Sequence, residues 1–486
     1  MTKHFDIAII GGGLSASFLA LSVHKENKEA SIAIFERSSE YSQKVGESII
    51  DLAGLYLNRL GLEHLLAKQT PKTGIRFLFN ENSQGQYGQY EFSSPSLRSV
   101  TNGYHLDRKT FDSDLHKELE SRGVEIFRPA EVDFPDGYVQ GDEVPVIHDG
   151  LNLKVVANWW IDASGRKRLL HQKMGWKDIE VDLNTSAAMA HFRNIKSQEN
   201  WDKMAHPYWD KNAIGSKGFS TIHFMRKNSW WWLIRLNEEI TSIGVVKSNE
   251  ENSNSVIQLF EEALGSDAII KEVVEGSGVS EKRELNQLAY CSSQWFQKGM
   301  ALIGDSAGFV DPLLSPGIEL IAQQSIWMGK LLGKEIESGT YNETGWKNYE
   351  SRFTRALKDR MYIYQRNYAF MHSYDLMKVW LRFGNFQYFS FTILPSVRFS
   401  RRLKYPLKLN VLDKIAMNVL YKRLKKISEK RLSQNRISNH LPGEISFSEV
   451  RVPKGFAFYF LPLQLFLLAV KDYMILEWIE LKNALK

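Results

Sequence analysis

A glycine-rich loop directly after the first apolar run constrains the fold of this 486-residue chain more than any other feature. The run Phe5–Ile10 leads into Gly11, Gly13 and Ala16, in a GxGxxA pattern. Such a strand, turn and helix presents backbone N–H groups and a helix N-terminus to a pyrophosphate. Glu36 ends the next apolar run, 20 residues after Ala16, where a carboxylate can accept hydrogen bonds from ribose hydroxyls. The pattern predicts a Rossmann-type dinucleotide-binding domain, with an ordinary tight turn as the alternative.

A second glycine-containing loop lies near residue 300. Residues 301–309 read ALIGDSAGF, so Gly304 and Asp305 follow an apolar strand, and Asp305 can hydrogen-bond a polyol chain. The alternative is that Asp305 only caps a helix. Together with IDASGR at 161–166, the two loops resemble those of FAD enzymes of the para-hydroxybenzoate hydroxylase type. That resemblance implies FAD as the cofactor and places Arg108 near the flavin.

Composition limits the other classes of function. With 43% apolar residues, the chain can bury a core large enough for about two or three domains. Its one cysteine, Cys291, excludes an intramolecular disulfide and fits a reducing compartment. The N-terminus enters the first strand without a secretory signal, so we expect a cytoplasmic protein. The sequence has no CxxC or HExxH spacing and no histidine cluster, which predicts that there is no metal site.

The apolar patterns predict the fold class α/β plus antiparallel sheet, in three regions. These are a discontinuous FAD-binding domain at 1–77, 102–185 and 285–350, a substrate-binding β-sheet domain at 78–101 and 186–284, and a mainly helical, basic and apolar C-terminal region at 351–486. Within the first domain, apolar residues at helical spacing predict a helix over 104–123.

Four short motifs follow one another along the chain. They are KVGES at 44–48, PKTGIRF at 71–77, WWWLI at 230–234 and GDSAGFVDPLLSPG at 304–317. In this order they resemble the flavin-dependent halogenases over about residues 5–335. The tryptophan-halogenase-like enzymes that act on phenols and pyrroles are the most similar in motif. The resemblance places Glu47 and Ser48 at the FAD site.

Lys72 is the residue to which the resemblance assigns catalysis. In that family, reduced FAD, oxygen and halide yield hypohalous acid, which a lysine at the KxG motif presents to the substrate. FADH2 then comes from a separate flavin reductase, since the sequence shows no second dinucleotide loop. A buried amine suits this role because it donates a hydrogen bond and is easily shifted towards its neutral form. The alternative is an ordinary solvated lysine before a strand.

Three adjacent tryptophans occupy the third motif. Trp230 and Trp232 alternate with Trp231, so they point to one face of the predicted strand. The resemblance implies that this pair forms a wall near the flavin that obstructs substrate there. Packing in the core is a compatible interpretation. Arg235 departs from the family pattern, which has a proline at that position.

The end of the fourth motif departs from the family pattern at a second position. The resemblance implies a halide held by backbone N–H groups of residues Ser315, Pro316, Gly317 and Ile318. Because proline has no N–H, Pro316 leaves Gly317 and Ile318 as donors or removes the halide site altogether. Leu314 stands where halogenases of free tryptophan carry a glutamate, which favours a phenol or pyrrole, either free or tethered to a carrier protein. The alternative function is a halogenase-like FAD-dependent monooxygenase or reductase without halide chemistry.

Positive charge is concentrated towards the C-terminus. Residues 398–436 contain 13 lysines and arginines against Asp413 and Glu429, although the whole chain carries only +6. The aromatic-rich segment Trp380–Phe391 precedes them, and the apolar segment Phe456–Val470, which is shorter than the roughly 20 residues of a membrane span, follows. We predict a docking face for an acidic carrier protein or an anionic membrane. A solvated helix face is the alternative, and nucleic acid is not an expected partner.

Overall fold

The computed structural model describes residues 2–72, 74–80, 87–93, 103–195, 219–250, 255–394, 411–434, 436 and 460–485. The chain divides into two units, each of which is discontinuous in sequence. The first unit comprises Met1–Gln69, Leu106–Val181 and Ala289–Arg360, and the second comprises Thr70–His105, Asp182–Leu288 and Met361–Lys486. The three-region division drawn from the sequence stays a prediction.

The strands, in chain order, are β1 (Thr2–Ile10), β2 (Ile32–Phe35), β3 (Ser48–Ile49), β4 (Thr70–Lys72), β5 (Ile75–Asn80), β6 (Tyr87–Ser93), β7 (Gly103–His105), β8 (Glu125–Phe127), β9 (Ala130–Val132), β10 (Val144–His148), β11 (Leu151–Asp162), β12 (Thr185–Arg193), β13 (Thr221–Arg226), β14 (Ser229–Arg235), β15 (Ile240–Ser248), β16 (Gly278–Val279), β17 (Arg283–Leu285), β18 (Tyr290–Cys291), β19 (Phe296–Gln297), β20 (Met300–Leu302) and β21 (Gly308–Phe309). The helices are α1 (Leu14–Glu26), α2 (Asp51–Arg59), α3 (Glu63–Leu66), α4 (Arg108–Ser121), α5 (Leu169–Lys173), α6 (Val256–Ser266), α7 (Ala268–Val274), α8 (Pro316–Ser338), α9 (Glu343–Tyr368), α10 (Tyr374–Tyr388), α11 (Val411–Ser433) and α12 (Leu461–Ala484).

A largely parallel sheet forms the centre of the first unit, with the strand order β19-β20-β11-β1-β2-β8 and with β10 and β9 beside β11. β1 is parallel to both β11 and β2. Its end, Ile7–Ile10, is a continuous apolar run that is buried, as expected for a strand covered on both faces. α1 packs on α8, where a Cβ at Gly329 would lie 2.6 Å from Ser22 Cβ. The predicted Rossmann-type fold is confirmed.

A mixed sheet forms the centre of the second unit, with the strand order β16-β12-β15-β14-β13-β5-β6 and with β17 on β12. Strands β12 to β15 are antiparallel, as the alternating patterns predicted, whereas β5 runs parallel to β13. A parallel pair needs a long connection, and β5 and β13 lie far apart in sequence. One face of the sheet packs on α6 and α7 around Trp231 and Phe260.

The described residues after Met361 are mainly helical, as predicted. Arg431 of α11 is fully buried and bridges Asp375 of α10 and Glu480 of α12, at 2.7 and 2.8 Å. In the part of the chain that the structure describes, no helix is both long enough and apolar enough to cross a membrane. Parts of three predicted regions lie outside the described residues. They are residues 398–410 and 435 of the basic segment, residues 456–459 of the apolar segment, and residues 81–86, 94–101, 196–218 and 251–254 of the predicted sheet domain.

The predicted helix over 104–123 begins four residues later than expected. Tyr104 and His105 belong to β7, and α4 starts at Arg108. The Asp107 carboxylate caps the helix by accepting hydrogen bonds from the N–H groups of Lys109 and Thr110, at 3.1 and 3.3 Å. An aspartate at this position fixes the helix start because it satisfies N–H groups that have no partner within the helix.

Candidate active site

The first glycine loop joins β1 to α1 in the first unit. Gly11 has φ +98°, and a Cβ there would lie 2.6 Å from the Ala163 carbonyl oxygen, so only glycine fits. At Gly13, by contrast, a Cβ would have no protein atom within 4 Å. Gly13 directly precedes α1, whose N-terminus carries partial positive charge and free N–H groups. Ala16 is fully buried in the first turn. The loop therefore leaves a space that suits a pyrophosphate.

Glu36 follows β2 and holds this loop in place. Its carboxylate accepts hydrogen bonds from the N–H groups of Gly12 and Ser38, at 2.7 and 2.9 Å. Burial raises the pKa of Glu36, but the hydrogen bonds from Ser38 and Gly12 outweigh burial, and the pKa lies below its ordinary value. Each carboxylate oxygen keeps a lone pair for a hydroxyl. The assignment of Glu36 to a ribose stays a prediction.

A buried carboxylate joins the turn after β11 to the GDSAG loop. Asp162 accepts hydrogen bonds from Ser164 N–H (2.9 Å), Ser306 Oγ (3.0 Å) and Leu170 N–H (2.8 Å). Burial raises its pKa, against these hydrogen bonds. Gly304 has φ +64°, donates its N–H to Gln324 Oε1 at 2.6 Å, and faces Ser15 so closely that a Cβ would overlap Ser15 Oγ. The hydrogen bonds of Asp162 thus join the turn after β11 to the GDSAG loop. The close approach of Ser15 leaves no room for a side chain at Gly304.

Asp305 and Arg108 are electrostatically coupled within the first unit. Burial raises the pKa of Asp305 to about 6, against the opposing charges of Arg166 and Arg108. Arg108 is buried and donates two hydrogen bonds of 2.8 Å to the Asp112 carboxylate. Burial works against the charge of Arg108, but Asp112, Glu47 and Asp305 raise its pKa above the ordinary value. Arg108 therefore stays cationic among buried carboxylates.

The same arginine fixes the KVGES segment. Its Nη1 donates to the Val45 carbonyl oxygen at 2.8 Å, and a Cβ on Gly46, which has φ +89°, would lie 3.0 Å from that nitrogen. Glu47 and Ser48 are buried next to this turn. Arg108 thus fixes the turn of the KVGES segment by hydrogen bonds, although the contacts of the sequence-predicted residues with FAD stay predictions.

The loop before α8 has an unusual backbone. Leu314 and Ser315 both have positive φ, +66° and +56°, a conformation that is costly for residues other than glycine. The Ser315 N–H donates to the Pro312 carbonyl oxygen at 2.9 Å, and Pro316 begins α8 without an N–H. Gly317 and Ile318 follow in the first helical turn, where N–H groups lack partners within the helix. Of the four residues predicted to bind halide, these two keep a donor at the helix N-terminus.

Lys72 lies in the second unit, on β4, and is 5% exposed. β4 pairs antiparallel with β7, in a register that sets Thr70 opposite His105 and Lys72 opposite Gly103. Since alternate residues share a face, Lys72 and His105 lie on the same face of this ribbon. A solvated lysine, the alternative drawn from the sequence, does not fit this burial.

His105 is a buried, neutral neighbour of Lys72. Its Nδ1 lies 3.0 Å from the Arg235 carbonyl oxygen, and its Nε2 lies 2.9 Å from Thr221 Oγ1. A carbonyl oxygen only accepts, so Nδ1 carries the proton and Nε2 accepts from the hydroxyl. Burial, and then the charge of Lys72, lower the pKa of His105 to about 3. Arg235, which replaces the family's proline, supplies the carbonyl that fixes this tautomer.

His223, on β13, is the second buried imidazole near Lys72. Its ring stacks on Phe77 at a centroid distance of 5.1 Å and lies 5.2 Å from the ring of Trp230. Burial, and then the charge of Lys72, lower its pKa to about 3. The positive charge of Lys72 therefore acts on two imidazoles that are both neutral at physiological pH. We call Lys72, His105, His223, Phe77 and Trp230 the lysine pocket.

The three tryptophans divide between the two faces of β14, as their alternation predicted. Trp231 stacks on Phe260 at 5.4 Å, whereas Trp230 and Trp232 lie 5.9 Å apart on the other face. Trp232 donates its indole N–H to Ser242 Oγ at 3.0 Å. Its ring occupies the place that a Cβ at Gly244 would take on the neighbouring strand. The side of β14 that carries Trp230 is thus a fixed aromatic wall, whose role towards a flavin stays a prediction.

Several of these residues were not found from the sequence. Asp112 follows Arg108 by four residues, the spacing of a helical ion pair, and that signal was available. His105, His223 and Gly244 have no such signal, because each acts through strands that are distant in sequence. Among the described residues, no group of three or more His, Cys, Asp or Glu side chains could hold a metal ion.

The nucleotide loops and the largely parallel sheet define a Rossmann-type nucleotide-binding fold. The family described as tryptophan halogenase matches residues 84–375, and the chain belongs to that family. Flavin-dependent halogenases are among its relatives, and FAD is its cofactor.

Two bacterial proteins illustrate the similarity in sequence. The chain is 25% identical over 388 residues to the 1H-pyrrole-2-carbonyl-[peptidyl-carrier protein] chlorinase of Pseudomonas fluorescens. The aligned region covers 74% of this chain and 82% of the chlorinase. It is 23% identical over 377 residues to the corresponding brominase of Pseudoalteromonas luteoviolacea, over 74% of this chain and 86% of the relative. The crystal structure of the halogenase PltM has the same fold, with a TM-score of 0.74 at 18% identity, over 89% of this chain and 93% of that one.

Proposed function

We propose that this protein catalyses the FADH2- and O2-dependent halogenation of an electron-rich aromatic, and that Lys72 presents the oxidised halogen to the substrate. The observation that carries the proposal is the burial of Lys72 in a chain of the halogenase family. The imidazoles of His105 and His223 near it are neutral at physiological pH, so neither adds a second positive charge beside the amine. In such a low-dielectric pocket, a hydrogen bond from the amine to hypohalous acid is stronger than in water.

The residues of the first unit fit the binding of FAD. Gly13 and the N-terminus of α1 would hold the pyrophosphate, Glu36 a ribose hydroxyl, and Asp305 a hydroxyl of the polyol chain. Arg108 would keep the KVGES segment in position beside the cofactor. When reduced and bound, FAD supplies the activation of oxygen that oxidises halide. We propose that a separate flavin reductase provides the reduced cofactor.

Gly317 and Ile318 are the proposed halide donors. Both lie in the first turn of α8, where free N–H groups and the helix dipole favour an anion. A Cβ at Gly317 would have no protein atom within 4 Å, so there is open space beside this residue. Hypohalous acid would then pass to Lys72.

A phenol or a pyrrole is the substrate class that we propose, either free or tethered to a carrier protein. Leu314 stands in the position where a glutamate assists deprotonation in halogenases of free tryptophan, and a leucine cannot accept a proton. Electron-rich rings need less assistance of this kind. The two pyrrole-carrier-protein halogenases among the relatives support the same class.

A second candidate is a flavin-dependent monooxygenase or reductase without halide chemistry. The loop before α8 favours it, because the Ser315 N–H donates to the Pro312 carbonyl oxygen and Pro316 has no N–H to offer a halide. Only part of the predicted halide cradle therefore remains.

The purified protein can be assayed with FAD, a flavin reductase, NADH and either bromide or chloride. Phenols and pyrroles, free and carrier-bound, form the substrate panel, and mass spectrometry detects replacement of hydrogen by halogen. We expect Lys72→Ala to lower halogenation on the order of a thousandfold while FAD binding is kept, because only the halogen carrier is removed. Lys247→Ala, at a buried lysine opposite Ser229 on the Trp231 face of the sheet, is the matched control.

Two outcomes contradict the proposal. A hydroxylated product without halogen, from the unmodified protein and unaffected by bromide, supports the monooxygenase. Halogenation by Lys72→Ala at the unmodified rate shows that Lys72 has only a structural role.

A further inference from the structure

The C-terminal helix α12 carries an apolar stripe on its exposed side. Its members are Phe460, just before the helix, Leu463, Leu467, Met474, Trp478, Leu481 and, just after it, Leu485. At about 100° per residue they fall within an arc of roughly 60° and run along about 35 Å. Met474, Trp478 and Leu481 are 64%, 62% and 59% exposed. A continuous stripe of this kind differs from the single exposed apolar residues that every surface has.

The opposite side of α12 is firmly attached to the second unit. Leu465, Ala469 and Leu476 are buried, and the helix packs along α10. Its acids are all paired: Asp472 pairs with Arg382 at 3.0 Å and Glu480 with Arg431 in the interior, and Glu477 pairs with Arg423 at the surface. The exposed charges on α12 are Lys471 and Lys482. The helix is thus apolar on both sides, and its exposed side carries only positive charge.

Helix α11 adds a second apolar and basic stripe. Val411, Ile415 and Val419 follow each other at intervals of four residues and are exposed. Lys422, Lys426 and Lys430 continue the same face at the same interval and are also exposed. Glu429 is the exposed acid of this helix and lies 3.9 Å from Lys425. This face thus offers both apolar side chains and positive charge, the two contributions that bind a helix to an anionic membrane surface.

We propose that the exposed stripes of α11 and α12 dock the protein onto an anionic lipid bilayer, with α12 lying along the interface and not crossing it. Two copies of the chain would set equal positive charges against each other in a two-fold contact, which disfavours self-association. A protein partner needs hydrogen-bond groups across its interface, whereas the exposed residues of α12 include only Gln464, Lys471 and Lys482 as polar side chains. A bilayer takes up Leu, Met and Trp side chains without such groups, and anionic headgroups match the lysines.

Sedimentation with vesicles tests the proposal. The unmodified protein should bind vesicles that contain phosphatidylglycerol at least tenfold more strongly than vesicles of phosphatidylcholine alone, and 1 M salt should weaken this binding. The variant Met474→Glu/Trp478→Glu/Leu481→Glu should lose at least tenfold of the binding. Val139→Glu/Leu151→Glu changes two similarly exposed apolar residues of the first unit and should bind like the unmodified protein. Lys422→Glu/Lys426→Glu/Lys430→Glu should lose the preference for anionic vesicles.

A fluorescent label at Met474→Cys locates the contact. Cys291 is buried, and burial raises its pKa to about 12, so labelling is selective for the new thiol. We expect the emission to shift to the blue when anionic vesicles are added. Four results overturn the proposal: no binding to anionic vesicles, a label already shielded without vesicles, a dimer that the triple glutamate variant dissociates, or capture of an acidic carrier protein by this face without vesicle binding. Activity on small soluble substrates should be equal in all these variants.

Discussion

The nucleotide loops of the first unit and the lysine pocket of the second are held by different kinds of contact. In the loops, backbone N–H groups bind buried carboxylates, and Gly11 and Gly304 occupy positions where a Cβ would collide. In the lysine pocket, rings from separate strands pack on each other, and His223 is positioned by Phe77 and Trp230. The first arrangement leaves a visible motif because each glycine loop is itself one short, continuous stretch of sequence. The second is only partly visible in the sequence: its members come from five strands, and His105 and His223 belong to no motif.

Among the changes that test this comparison, the largest expected effect concerns the first loop. Gly13→Asp should weaken FAD binding roughly a hundredfold or more, about 3 kcal/mol, because a carboxylate would occupy the space next to a pyrophosphate. Titration of the protein with FAD, followed by flavin fluorescence, measures the change. The fold should be kept, since a Cβ at Gly13 meets no protein atom within 4 Å.

Gly265→Asp is the control for this change. Gly265 is an exposed glycine of α6 whose Cβ position is also open, and we expect its variant to bind FAD normally. If Gly13→Asp binds FAD as tightly as the unmodified protein, the loop does not hold the pyrophosphate. The assignment of the first glycine loop to FAD would then be wrong.

A smaller effect should come from the aromatic wall. Gly244→Ala would overlap the Trp232 ring and should lower the free energy of unfolding by about 3 kcal/mol, because the ring is packed and cannot move aside without strain. Urea unfolding measures the loss. Gly278→Ala, on an edge strand where the nearest atom is 3.9 Å from the new Cβ, should change stability by less than about 0.5 kcal/mol. Equal losses in the two variants would show that the wall tolerates repacking, unlike the loops.

The smallest effect has the opposite sign. The pKa of Asp305 is about 6 in the folded protein and roughly 4 when unfolded, so the folded state binds the proton more tightly. The stabilisation from this proton is complete below about pH 4 and is lost as the pH rises through 6. Asp305→Asn should therefore be more stable than the unmodified protein at pH 7, by about 2 kcal/mol, and equally stable near pH 4. Urea unfolding of the FAD-free proteins across this range compares them. A constant difference at both pH values would contradict the assigned pKa.

The sequence predicted what depends on local spacing. The Rossmann-type fold, the FAD cofactor, the halogenase family and the two faces of WWWLI were all accessible from motifs or alternation. The burial of Lys72 beside two neutral imidazoles was not, because neither His105 nor His223 belongs to a pattern. The left-handed backbone at Leu314 and Ser315 was equally hidden, since no glycine marks it. The start of α4 was missed because the apolar spacing continued through Asp107, whose capping role depends on its side chain.

The Asp162 carboxylate has a consequence for how the protein is made. It binds Ser306 across 144 residues of sequence, and Gly304 then depends on Gln324 of α8. During synthesis the ribosome releases the first glycine loop long before either partner exists. At about 5 to 20 residues per second, that loop waits roughly 15 to 60 seconds until Ser306 and Gln324 have been made. At the FAD site that we propose, the cofactor can therefore be enclosed only after about two-thirds of the chain has been synthesised.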